Sequence, residues 1–203
     1  MRSHTRVLAV AALAATLLVL TSLAVAASGR GAQHVRWDII SLNAATTPPT
    51  MAAGGHAEAK APDGERIRLT GHGTFVAPPG GNGGSGAVTG GGTWQTFNAA
   101  GAPTGSGSYA VTALVSWEFA SFQPATPAFN DTIDEGRRAN GTAVLQITFS
   151  DGEQGVLTVG CHGPGAPPGI FEGIATTKAF KTFYDVQPPT AGVDANRTIF
   201  HVR

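Results

Sequence analysis

Cysteine is nearly missing from this chain: Cys161 stands alone among 203 residues. A single cysteine has no internal partner, so no disulfide framework can hold the fold and apolar packing must do so. Charge is equally sparse. Thirteen Lys and Arg balance 13 Asp and Glu, with no basic patch and no acidic tail, which argues against nucleic acid and anionic membrane as partners. Long Leu/Glu/Lys runs of helical period are absent. So are a Ser nucleophile elbow, a paired-carboxylate motif, a Cys/His zinc cluster and any His pair of the HxH or HExxH kind. No metal and no cofactor is therefore expected.

What is present begins with Arg2 and Arg6, followed by an apolar run of Ala, Leu and Val over 7–23 and then Ala24-Val25-Ala26. A basic start, an apolar middle and small residues before a cut are the physical requirements of a secretory signal. Residues 1–26 are read as a signal peptide cleaved near Ala26 or Ala27, of a bacterial Ala-rich type, which makes the protein secreted or extracytoplasmic. The competing reading is a retained anchor, because 7–27 approaches the roughly 20 residues that cross a bilayer. Thr16, Thr21 and Ser22 interrupt that run, and no cysteine follows it to carry a lipid. No later stretch is apolar enough to span a membrane.

Residues 27–33 read as a polar leader and 34–203 as a single β domain, long enough to bury a core without staples. Gly reaches 28 and Pro 13, and short Val, Thr and aromatic runs alternate in phase. Strands are expected over 35–42, 66–76, 88–97, 105–119, 143–149, 155–162 and 198–202. Asp151-Gly152 between two alternating runs is a strong hairpin signal, since both residues tolerate positive φ. Segments 44–65 and 120–141 read as long loops, 78–86 as a Gly-rich turn and 163–169 as a rigid Pro/Gly connector. Residues 170–184 read as a strand followed by a short helix or another strand.

Gly-x-Gly-[Ser/Thr]-aromatic recurs at Gly71-His72-Gly73-Thr74-Phe75, Gly90-Gly91-Gly92-Thr93-Trp94 and Gly105-Ser106-Gly107-Ser108-Tyr109. None opens a helix, so these are not phosphate loops. Glycines at alternate positions let strands coil tightly or let a large ring cross bare backbone. The expected fold is an all-β, single-domain antiparallel meander of seven or eight strands, closed or nearly closed as a barrel, with a β-sandwich second.

Few residues suggest chemistry. His72 is out of phase with Leu69 and Phe75 and faces away from the core. In Cys161-His162 the two side chains point to opposite faces of a strand, which places Cys161 with Leu157 and Val159 in the core. Glu172, after the connector, is either solvated or a carboxyl with a raised pKa. His72, His162 and Glu172 are the catalytic candidates. Trp94, Tyr109, Phe122 and Phe129 are the ligand-binding candidates. Asp131, Asp134 and Glu135, with Arg137 and Arg138, are too few and too irregular for a calcium loop and read as a solvated, self-paired cluster. The Asn-x-Thr patterns at Asn130, Asn140 and Asn196 carry no weight in a bacterial context.

The Gly-x-Gly strands, the Ser150-Asp151-Gly152 hairpin and Cys161-His162 resemble short, uncharacterised exported bacterial β-rich proteins. The same strands are similar in texture to the allene oxide cyclase and dirigent barrels, which implies an eight-stranded antiparallel barrel with an apolar cavity and transfers no catalytic residue. The functional expectation is non-catalytic binding of a small apolar ligand or a cell-envelope partner. The alternative is a small isomerase- or hydrolase-like enzyme using the His/Glu residues.

Overall fold

The computed structural model describes residues 32–77, 85–133 and 136–203. Residues 1–31, with the expected signal peptide and most of the expected leader, residues 78–84 of the Gly-rich turn, and Asp134 with Glu135 lie outside the described residues. Fourteen strands follow in chain order, with no helix among the described residues: β1 (Gln33–Asn43), β2 (Thr50–Ala53), β3 (His56–Lys60), β4 (Arg66–Thr70), β5 (His72–Ala77), β6 (Val88–Phe97), β7 (Pro103–Phe122), β8 (Asn130–Asp131), β9 (Arg137–Phe149), β10 (Gln154–Cys161), β11 (Gly173–Lys178), β12 (Lys181–Phe183), β13 (Asp185–Val186) and β14 (Gly192–Val202).

Six of them close into an antiparallel barrel, each pairing with the next in the order β1, β5, β6, β7, β9, β14 and back to β1. That order is sequential, so the ring is a meander, and the remaining strands are insertions between its members. Ring strands change partners part-way. β9 pairs with β14 through Ala139 and with β10 from Gly141 onward. β6 pairs with β5 through 88–91 and with β4 through 94–97. Two flaps result, β10–β11–β12 and β4–β3–β13, and the chain joins them at Tyr184 between β12 and β13.

One face of β9 (Ala139, Ala143, Leu145, Ile147 and Phe149) runs through both parts and is buried throughout. The interior is therefore continuous, and aromatic rings fill it. Phe75 and Phe200 lie 5.5 and 4.6 Å from Trp117, while Trp94 and Tyr109 lie 5.9 and 6.3 Å from Phe149. Bare backbone makes room for these rings. A Cβ at Gly107 would stand 2.8 Å from Trp94 Nε1, and one at Gly141 would stand 2.8 Å from the Trp117 ring. Within the repeat, Gly71, Gly73, Gly105 and Gly107 thus make room for rings, while Gly90 and Gly92 let neighbouring backbone approach.

Several expected boundaries are corrected. Segment 44–65 contains β2 and β3. Its inward residues are Ala57 and Ala59, fully buried, and alanine gives little hydrophobic signal. Glu58, between them, is held by Arg66 at 3.0 Å and Arg68 at 2.6 Å. Segment 120–141 narrows because β7 runs to Phe122 and β9 begins at Arg137, with β8 between. The expected strand over 66–76 is divided at Gly71, whose φ is 149°. Within 170–184 the second of the two expected forms holds, a strand (β11) followed by another strand (β12) across a tight turn, and the helical spacing of Phe180, Phe183 and Tyr184 marks no helix. The expected all-β antiparallel barrel is present as the closed ring, and the sandwich is not; short inserted strands take the count beyond the expected seven or eight.

Candidate functional site

Cys161 ends β10 with its side chain among Leu157 and Val159, all three buried. Burial pushes the thiol well above its ordinary pKa, so it is no nucleophile. His162 falls on the opposite face, as alternation requires. Its backbone N–H donates to Glu172 Oε2 at 2.6 Å, and its ring Nδ1–H donates to the Ile170 carbonyl at 2.7 Å. Glu172 Oε1 accepts the Thr198 N–H of β14 at 2.8 Å. One carboxyl group thereby ties the exit of β10 to the closing strand. Enclosure raises the Glu172 pKa to about 7 despite those two donors and the nearby Arg197 and His162.

Asn140, fully buried on β9, anchors the other side of the connector. Its Nδ2 donates to Ser121 Oγ at 3.0 Å and to the Pro164 carbonyl at 3.1 Å. Its Oδ1 accepts from Gly163 N–H at 2.9 Å and Gln123 Nε2 at 3.2 Å. An Asn with both ends engaged in the interior carries no glycan in the folded protein.

Between these anchors lies a cleft of about 60 Å³. Ile40, Leu42, Met51, Phe129 and Ile199 supply its apolar walls, and His162, Glu172, Gln123 and Arg197 its polar edge. Arg197 Nε is itself buried without a hydrogen-bond acceptor. The long loop covers one side. Asp131 on β8 meets the buried His201 Nε2 at 2.8 Å, and Thr132 Oγ1 donates to the Met51 carbonyl at 2.9 Å. Asp131 is thus half-buried and tied to β14, which corrects the solvated, self-paired reading of that residue. Arg137 and Arg138 sit over the rings of Phe122 and Phe129 at 3.5 and 5.0 Å.

Of the three catalytic candidates, the fold brings His162 and Glu172 together. His72 is exposed on β5, opposite Asp38 and Gly91, on another wall. Of the aromatic candidates, Phe129 lines the cleft. Phe122 packs on Phe119 at 4.8 Å and is not among the cleft's lining residues. Trp94 and Tyr109 are core residues, with the Tyr109 hydroxyl donating to the Thr70 carbonyl at 2.8 Å. Sequence patterns missed Gln123, Asn140, Arg197 and the Asp131–His201 pair. Each is an isolated polar residue whose partner lies in a distant strand, so no local spacing signals it.

No family model, curated protein or solved structure matches this chain.

Proposed function

We propose that this is an exported, non-catalytic binding protein that receives a small apolar group, from a free ligand or a cell-envelope component, in the cleft beside the connector. The observation that carries this reading is the pairing of five apolar walls with a polar edge of Gln123, His162, Glu172 and Arg197 in one cleft. A short aliphatic body ending in a carbonyl or hydroxyl oxygen suits that pairing. The groups around it favour binding over turnover. Both Glu172 oxygens accept main-chain N–H groups, and the thiol is buried.

Titration with 2-hexanone, followed by two-dimensional NMR, tests the reading. Shifts are expected at Leu42, Met51, Phe129 and Ile199, and Met51→Trp, which fills the cleft, should abolish them. Shifts scattered over the surface, or unchanged in that variant, would refute the assignment. One observation favours a second reading, acid–base catalysis: a carboxyl of pKa about 7 beside a histidine whose Nδ1 is held on the Ile170 carbonyl. Hydrolysis of p-nitrophenyl butyrate with an inflection near pH 7 that Glu172→Gln removes would support it.

A further inference from the structure

Phe180 has no cover at all. It is 104% exposed, at the tip of the two-residue turn between β11 and β12. Isolated apolar residues on a surface are ordinary, but this one is held in place from three sides. Ala179, before it, sits at φ 50°, a left-handed conformation that costs a residue bearing a Cβ. Its N–H is nonetheless fixed to the Gln154 carbonyl at 3.0 Å. Lys178 reaches Asp151 and Glu153 of the β9–β10 turn and lies 4.3 Å above the Trp94 ring. Lys181 reaches Asp63 at 2.8 Å and Glu65 at 2.6 Å, in the β3–β4 turn.

Three turns are thereby pinned into one end of the molecule, with a phenyl ring projecting from it. A shallow groove beside the ring is lined by Glu65, Glu153, Lys178 and Lys181. Four carboxylates face two ammonium groups, so the platform is net negative. Two further exposed large apolar residues, Val156 and Tyr184, lie on β10 and just after β12.

We propose that Phe180 and its carboxylate rim form a docking knob for a partner protein that offers an apolar socket edged by lysine or arginine. The excess of carboxylates selects a basic rim and disfavours anionic lipid. The turn backbone that carries the ring is already held, so docking orders little beyond the Phe180 side chain itself.

Selection of a displayed random 12-residue peptide library on the purified protein tests this. Enriched peptides should combine Lys or Arg with aliphatic or aromatic residues. They should bind at least tenfold more weakly to Phe180→Ser, and several-fold more weakly to Asp63→Asn/Asp151→Asn. Salt should weaken them further. Phe180 is fully exposed, so the Ser variant should fold, and a circular dichroism spectrum matching the wild type is the control that checks it. The proposal is overturned by failure to enrich, by enrichment of acidic or uncharged peptides, or by equal binding to the Ser variant. Phe180-dependent self-association in sedimentation, or binding to phosphatidylcholine vesicles, would overturn it by naming another occupant.

Discussion

At the residue scale, Glu172 makes a pH-dependent contribution with an unusual sign. Its folded pKa is raised, chiefly by burial, from 4.5 to about 7. A raised carboxyl favours the fold fully below its unfolded value, and that contribution is lost as pH climbs through 7. The size follows from the shift and is about 3 kcal/mol at most. The midpoint of thermal unfolding should therefore fall between pH 4.5 and 7.5, and Glu172→Gln should flatten that slope. A wild-type midpoint that rises over the same window would contradict the placement of this carboxyl. The residue itself was legible as a polar outlier after the connector. What enclosed it was not, because Thr198 and Arg197 arrive from the far end of the chain.

At the element scale, β6 and β7 approach as they do because a large ring lies on small residues. Trp94 of β6 covers Gly105 and Gly107 of β7, and a Cβ at Gly107 would also stand 2.4 Å from Ser150 Oγ. Gly107→Ala should cost about 1–3 kcal/mol, as overpacking does, read in urea unfolding with Trp94 fluorescence displaced. Such crossings were foreseeable from the alternate glycines, and the β9–β10 hairpin from Asp151-Gly152, because both signals act within a few residues. β3 was hidden by inward alanines, and an apparent helical spacing left β12 open between a short helix and a second strand. Partner exchange along β6 and β9 left no mark on either strand, since alternation reports which face is buried and is silent on which neighbour binds the edge.

At the scale of the whole molecule, closure depends on the ladder between β1 and β14. It runs from Val35–Val202 to Ile40–Arg197 before its register shifts, with Arg203 N–H donating to the His34 carbonyl at 2.9 Å. Phe200, on that ladder and against Trp117, is fully buried. Phe200→Ala should cost about 3–5 kcal/mol, a large part of a domain's total stability. An opened ladder exposes unpaired edges, so the variant should elute partly as aggregates in size-exclusion chromatography. The same ladder orders events in time. The first strand waits some 160 residues of synthesis for the neighbour that completes its hydrogen bonding, a separation that slows folding. A nascent chain therefore carries a sticky flank until β14 emerges, and a holding chaperone has most to do for this protein up to that moment.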